Sequence, residues 1–112
     1  MSKSEAQIQQ SCIVYFRNKY CRKGLDVRYS IFSVPNEAGY RNKQFVSTGM
    51  LPGVSDTIVV LDGKVLFIEF KTATGKQSER QKDFEETVKD LGHPYFICRN
   101  FNDFVCIIEN YL

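Results

Sequence analysis

Three residues of this chain have the types and spacing that metal-assisted phosphate chemistry requires: Asp56, Glu69 and Lys71. An Asp-Gly pair at positions 62–63 separates two apolar runs and predicts a β-hairpin, because its tight turn needs positive φ. Closing the hairpin brings Asp56, just before the first strand, close to the other two residues at the end of the second. Two carboxylates are hard oxygen ligands that suit Mg²⁺, and a nearby ammonium group can neutralise charge on a phosphate.

The Glu-x-Lys spacing follows from the geometry of a strand. Side chains two residues apart lie on the same face, so Glu69 and Lys71 can both reach one site. We expect Asp56, Glu69 and the main-chain carbonyl of Phe70 to hold a divalent ion, and Lys71 to orient the attacking water. Both faces of the strand are apolar up to this point, which predicts a central strand whose end emerges from the core. The alternative is a surface aspartate with an exposed Glu/Lys pair.

Hydrophobic periodicity and end signals predict the elements that position these residues. Predicted helices cover about residues 4–19, 78–91 and 101–112, and predicted strands cover 26–34, 57–61, 64–71 and 95–99. The first two helices begin with Ser-x-x-Gln capping boxes, the second ends at Gly92, and Asn102 or Asp103 is expected to cap the third. The order αβββαβα predicts one α/β domain over residues 1–112, with a mixed central sheet flanked by helices.

Two residues of the flanking helices could serve the same site. Glu5 falls on the apolar face of the first helix, where an acid is unusual, although favourable placement near the helix N-terminus explains it equally well. Gln81 lies on the apolar stripe of the second helix, which turns it toward the sheet, but it also fits a capping box with Ser78. The single histidine, His93, lies at a helix end between glycine and proline and is expected to be structural.

Composition and charge exclude several classes of protein. The 112 residues are 43% hydrophobic and 13% aromatic, as in an ordinary globular protein, and no run approaches the length of a membrane span. The polar N-terminus carries no secretory signal, so the expected compartment is the cytoplasm. The four cysteines have no CxxC spacing and are expected to be reduced thiols, with an iron–sulfur cluster ligated by all four as the alternative: Cys12, Cys21, Cys98 and Cys106.

Basic residues are grouped although the net charge is only +2. One group lies in the long irregular segment 35–52, and another lies just after the Glu-x-Lys motif. Such groups can neutralise phosphates, although runs of charge are more often solvated surface. The predicted nucleic-acid contacts are Arg41, Lys43, Lys76 and Arg80.

The chain resembles the PD-(D/E)xK nuclease superfamily. The similarity rests on Gly53-Val54-Ser55-Asp56, on the hairpin, on Ile68-Glu69-Phe70-Lys71 and on Gln81. More narrowly it resembles the small VRR-NUC branch over nearly the whole chain, including the helix with Glu5 and a loop with Asn36 and Gly39-Tyr40-Arg41. One departure is Ser55, because the family usually has proline there. Proline shapes the turn and performs no chemistry.

The resemblance implies a fold and a set of roles. The fold would be the restriction-endonuclease-like αβββαβ core. Asp56 and Glu69 would bind metal and Lys71 would be the catalytic lysine. Glu5 would support the metal through water, and Gln81 would reach the site from the second helix.

The resemblance also implies a function. Stand-alone members of the VRR-NUC branch resemble phage-encoded homodimers that cut branched DNA, including four-way junctions. We therefore expect a Mg²⁺- or Mn²⁺-dependent endonuclease that is homodimeric, acts on branched or structured DNA, and works in the cytoplasm of a bacterium or a phage-infected cell. The alternatives are a non-catalytic nucleic-acid-binding or assembly module with the same fold, or a nuclease with a different DNA or RNA preference. A restriction-type duplex cutter would need a base-reading element, and none is identifiable in the sequence.

Overall fold

The computed structural model describes residues 3–21, 29–35 and 48–112. Its helices are α1 (Glu5–Tyr20), α2 (Glu79–Asp90) and α3 (Phe101–Tyr111), and its strands are β1 (Ser30–Ser33), β2 (Thr57–Leu61), β3 (Lys64–Phe70) and β4 (Tyr95–Cys98). The order αβββαβα that the periodicity predicts is confirmed. Among these described segments, no helix combines the length and the apolar character that a membrane crossing requires.

The described strands form one mixed sheet in the order β1-β2-β3-β4. β1 pairs with β2 and β2 with β3 in antiparallel register, and Gly63 in the β2–β3 turn has a φ of 66°, as the Asp-Gly signal predicts. β4 is parallel to β3, a pairing that requires a crossover, and α2 lies within that crossover. β3 therefore has a strand on each side, as its two apolar faces predict.

The hydrophobic core lies between one face of this sheet and the helices α1 and α3. Alternate residues of β3 enter this core. Its buried residues are Ile8, Cys12, Phe16, Ile31, Val59, Leu61, Leu66, Ile68, Phe70, Cys98, Phe104 and Ile108. Phe16, Phe70 and Phe104 are fully buried, and the ring of Phe104 lies 6.3 Å and 6.2 Å, centroid to centroid, from the other two. Each such ring contributes about 1.5–3 kcal/mol by its burial.

α2 covers the opposite face of the sheet, where β3 carries Phe67 and Glu69. Phe84 of α2 packs edge-on against Phe67, with ring centroids 5.4 Å apart, and lies 6.2 Å from the ring of Tyr95. Helices therefore lie on both faces, and the predicted mixed α/β fold is confirmed. α2 has the predicted capping box at Ser78 and is followed by Gly92, whose φ is 91°.

The cap of the last helix differs from the prediction. Asn100 caps α3, rather than Asn102 or Asp103, and its side-chain oxygen accepts the N–H of Asp103 at 2.8 Å. Asp103 in turn accepts the N–H of Arg99 at 2.9 Å through Oδ2. The chain thus passes from β4 into α3 in two residues, Arg99 and Asn100. Of the predicted first strand 26–34, residues 26–28 lie outside the described residues.

Candidate active site

Asp56 lies where the sequence predicts, against the end of β3. It directly precedes β2, and the register that pairs Thr57 with Ile68 brings the two strand ends together. Its side-chain Oδ2 accepts the main-chain N–H of Phe70 at 2.8 Å. Hydrogen bonds from amides to carboxylates are among the strong ones, so this bond fixes the side chain beside the residue between Glu69 and Lys71.

The turn before Asp56 packs against the first turn of α2. Gly53 has a φ of 92°, and a Cβ atom added to it would collide with the main-chain oxygen of Arg80. Glycine alone allows both the conformation and the close approach. The Gly-x-x-Asp spacing therefore joins the loop that delivers Asp56 to the helix that carries Gln81.

Ser55 occupies the position at which PD-(D/E)xK nucleases usually have proline. Its side chain is fully buried, and its hydroxyl donates to the main-chain oxygen of Thr57 at 3.3 Å. A local hydrogen bond therefore supports the turn that proline would otherwise restrict through its fixed φ. Asp56 still reaches the end of β3, so the substitution leaves the predicted geometry in place.

Glu69 is fully buried beneath α2 and is held there by Gln81. Both carboxyl oxygens of Glu69 accept from Nε2 of Gln81, at 3.0 and 3.3 Å. The Oε1 atom of Gln81 accepts the N–H of Ser78 at 2.8 Å, and the N–H of Gln81 donates to Oγ of Ser78 at 3.2 Å. Gln81 is therefore both a capping residue and a partner of Glu69. Its amide oxygen completes the capping box, and its amide nitrogen donates to the acid.

The prediction that Glu69 and Lys71 emerge from the core was wrong. Their exposed fractions are 0% and 7%, respectively. The N–H of Lys71 donates to the main-chain oxygen of Cys98 at 3.0 Å, so pairing with β4 continues past the end of β3. The first turn of α2 covers this end of the strand through Gln81. A pattern read along one strand does not show that a helix from later in the sequence will cover it.

The surroundings of Glu69 make it an unusual acid. The pKa of Glu69 is raised to about 9, first by desolvation and then by the negative charge of Asp56, while the ammonium group of Lys71 opposes both effects. The charge of Glu5 acts on the pKa of Glu69 in the same direction as that of Asp56, but less strongly. The carboxyl group of Glu69 therefore keeps a proton at neutral pH, because the single ammonium group of Lys71 does not offset burial beside a second acid.

This shortage of positive charge fits a divalent cation. A bound cation favours the deprotonated form of its ligands and would replace the proton on Glu69. Mg²⁺ commonly binds through one or two carboxylates together with water and substrate phosphates, so Asp56, Glu69 and the carbonyl of Phe70 form a suitable set. Across the described residues, no group of three or more His, Cys, Asp or Glu side chains is close enough to hold a metal ion. The predicted action of Glu5 through water therefore stays a prediction.

The remaining residues singled out in the sequence lie in several places. Lys76 and Arg80 are exposed near the site, in the β3–α2 connection and the first turn of α2. Arg41 and Lys43 lie outside the described residues, as do Asn36 and the run 39–41. The ring of His93 lies against Phe67, with centroids 6.2 Å apart, which agrees with a structural role.

The cysteines differ in their exposure. Cys12 and Cys98 are buried, and this burial raises the pKa of each thiol to about 12, so both remain protonated. Cys21 is half-buried and Cys106 is exposed. All four lie within the described part of the chain, which contains no cysteine cluster that could hold a metal.

Sequence reasoning missed Tyr95, a residue of β4 close to the acids. Its side chain is buried, and burial, followed by the charge of Glu69, raises the pKa of Tyr95, which keeps its hydroxyl neutral. The Nε2 atom of Gln77 donates to this hydroxyl at 3.2 Å and to Oε1 of Glu85 at 3.0 Å. An isolated tyrosine in a short apolar strand gives no sequence signal for such a position.

The sheet and its helices define an α/β domain in which two acids and a lysine lie together at the end of β3. Comparison with models of known protein families gives no match, and neither does comparison with curated proteins. A solved structure named "VRR_NUC domain protein" is 18% identical, with a TM-score of 0.76, and the match covers 99% of this chain and 89% of the other. A second, named "VRR_NUC domain", is also 18% identical, with a TM-score of 0.67 and coverage of 98% and 100%. The chain thus has the VRR-NUC fold, as the sequence resemblance implies.

Substitutions at Gln81 should separate its two contacts. Gln81→Glu keeps an acceptor for the N–H of Ser78 but replaces the donor to Glu69 with a second acid. We expect this variant to lose about 1–3 kcal/mol of unfolding free energy at about pH 8, because an ionised carboxylate would then be buried against Glu69, and less at about pH 5. Ser78→Ala is the control, with a loss of about 1 kcal/mol at both pH values, since only the cap is removed. Urea unfolding measures the stability of both variants. Equal stability of Gln81→Glu and the wild type at pH 8 would contradict the contact between Gln81 and Glu69.

The raised pKa of Glu69 predicts how the stability of the metal-free protein depends on pH. The folded state keeps this proton up to a pKa of about 9, whereas the unfolded chain releases it near its ordinary pKa of 4.5. The contribution of Glu69 to the free energy of unfolding is therefore full below pH 4.5 and declines as pH rises toward 9. Urea unfolding in the presence of a chelator measures this decline. Glu69→Gln resembles the protonated acid and should remove it; an identical pH dependence in both proteins would refute the assignment.

Proposed function

We propose that this chain is a divalent-metal-dependent endonuclease that hydrolyses phosphodiester bonds in DNA. The observation that carries the proposal is the fully buried carboxyl group of Glu69, with the half-buried Asp56 and the buried Lys71 beside it. A fully buried acid with a pKa of about 9 is costly for a fold, and an apolar residue of similar size would cost less. Acids perturbed in this way are concentrated at functional sites, where the perturbation has a chemical use.

The residues divide the chemistry among them. Asp56, Glu69 and the carbonyl of Phe70 would hold Mg²⁺ or Mn²⁺, which when bound supplies a more acidic water and positive charge for the phosphate oxygens. The N–H of Phe70 orients Asp56, and Gln81 orients Glu69, so both acids are in place before substrate arrives. Lys71 orients the attacking water or places its positive charge near the phosphorane.

The surroundings of the site support a nucleic-acid substrate. Lys76 and Arg80 are exposed beside it, and Arg41 and Lys43 are further contacts predicted from the sequence. Contacts of basic side chains with phosphates fix the register of a nucleic acid without reading its sequence. We therefore propose that the protein recognises the shape of the nucleic-acid backbone. Glu5 would support the metal ion through water.

Branched DNA is the proposed substrate, and a homodimer is the proposed assembly. Both follow from the resemblance to stand-alone VRR-NUC proteins, and the likeness of the fold to two structures named VRR_NUC domains supports a nuclease-type domain. A two-fold dimer would present two equivalent sites to two strands of a symmetric junction.

Asp56→Asn is expected to abolish metal-dependent cleavage without unfolding the protein, because the amide oxygen of asparagine can still accept the N–H of Phe70. Lys71→Ala should lose cleavage while it keeps DNA binding, since it removes no metal ligand. Labelled DNA with Mg²⁺ or Mn²⁺ measures cleavage, and calorimetric titration with either ion measures metal affinity. An active Asp56→Asn protein would refute the ligand assignment. Failure of the wild type to cut any DNA or RNA with either ion would favour the binding-module alternative.

The substrate proposal is tested with a matched panel of linear duplex, flap and four-way-junction DNA of the same sequence. We expect the junction to be cut faster than the duplex, and light scattering to give the mass of a dimer. Binding of the same three DNAs by Asp56→Asn shows whether the preference arises at binding or at cleavage. Equal cutting of all three would disprove specificity for branched DNA and leave the nuclease activity itself intact.

A further inference from the structure

One arginine holds the turn that follows Lys71. Arg99, the first residue after β4, donates from Nη1 to the main-chain oxygens of Thr72 at 2.7 Å, Gly75 at 2.8 Å and Ala73 at 3.4 Å. The turn's own hydrogen bond, from the N–H of Gly75 to the oxygen of Thr72, is 3.2 Å long. Bonds to a charged donor are stronger than neutral ones, so Arg99 largely determines the path of residues 72–75, the arginine turn.

The arginine turn contacts the side chain of Lys71. A Cβ atom added at Gly75 would lie 3.4 Å from Cδ of Lys71 and 3.2 Å from Oγ1 of Thr72. The aliphatic stem of Lys71 therefore packs beside the backbone of Gly75. The N–H of Lys71 is bound by Cys98, the residue directly before Arg99. The main chain of Lys71 is thus held by β4, and its stem lies beside the arginine turn.

Arg99 is itself firmly placed. Its main-chain N–H donates to Oδ2 of Asp103 at 2.9 Å, and Asp103 lies in the first turn of α3. The N–H of Asp103 is bound by the cap residue Asn100 at 2.8 Å. The guanidinium group therefore extends from a short, hydrogen-bonded connection between β4 and α3.

We propose that Arg99 and Gly75 are positioning residues for Lys71. A lysine has a flexible four-carbon stem, so its ammonium group is placed accurately only when its surroundings restrict that stem. The arginine turn supplies this restriction, and Arg99 fixes the turn. The proposal rests on the proposed function, since the position of Lys71 matters for cleavage only if Lys71 takes part in it.

Kinetics of three variants test the proposal: Arg99→Ala, Arg99→Lys and Gly75→Ala. Gly75 does not have positive φ, so alanine there crowds Lys71 and Thr72 without backbone strain. Misplacement of a catalytic group by about 1 Å can cost about 100-fold, so we expect kcat to fall about 10- to 100-fold in Arg99→Ala and Gly75→Ala. KM and Mg²⁺ affinity should stay unchanged, and Arg99→Lys, which keeps the charge, should recover part of the loss.

The matched control is Arg17→Ala. Nη2 of Arg17 also donates to a main-chain oxygen, that of Ile31 at 3.1 Å, but on α1 and β1 rather than at the arginine turn. It should lose stability without a change in kcat. A similar fall in kcat for Arg17→Ala, or an unchanged kcat in Arg99→Ala and Gly75→Ala, would overturn the positioning role.

A second measurement does not need cleavage. Acetic anhydride modifies exposed lysines, and peptide mass spectrometry gives the rate at Lys71, which is only 7% exposed. We expect this rate to rise several-fold in folded Arg99→Ala, and less in Arg99→Lys, with Arg17→Ala unchanged. An unchanged rate in both Arg99 variants would overturn the proposal. If the wild type cuts no DNA, the proposed function fails, and the modification rates still decide whether Arg99 holds Lys71.

Discussion

A carboxyl group enclosed in a small protein is the constraint on which the rest of this structure depends. Glu69 has no exposed surface, so it must be hydrogen-bonded, protonated or neutralised by a cation. Gln81 provides the hydrogen bonds, and Lys71 provides partial compensation of charge. Asp56 acts in the opposite direction, because a second acid beside a buried one makes ionisation harder. The fold thus keeps together two groups that repel each other when both are charged.

At the first turn of α2, the same side chain both caps the helix and contacts the candidate site. The amide of Gln81 uses one end for the helix cap and the other for Glu69, so the helix cannot begin elsewhere without releasing the acid. Gly53 lets the loop before Asp56 approach the main chain of the same turn. Three segments far apart in sequence therefore meet within one helical turn. Such sharing suits a chain of 112 residues, in which few residues are available for support alone.

The other end of the Glu-x-Lys motif is supported from the opposite direction. β4 binds the main chain of Lys71, and the connection from β4 to α3 carries Arg99, which fixes the turn beside the lysine stem. Thus α2 orients Glu69 from one face of the sheet, whereas β4 and its connection to α3 orient Lys71. This division keeps the ammonium group near the acids while the carboxyl of Glu69 still holds its proton.

The sequence by itself determined what depends on short-range geometry. The Asp-Gly turn fixed the hairpin, strand periodicity put Glu69 and Lys71 on one face, and the Ser-x-x-Gln signal marked the start of α2. Only the tertiary structure decided that Glu69 is enclosed, that Gln81 is both cap and partner, and that Arg99 holds the turn after Lys71. Each of these depends on contacts between residues 12 to 27 positions apart, which no local period encodes. The predicted roles in metal binding and cleavage also depend on such contacts, because the pKa of a buried acid is set by all the groups that surround it.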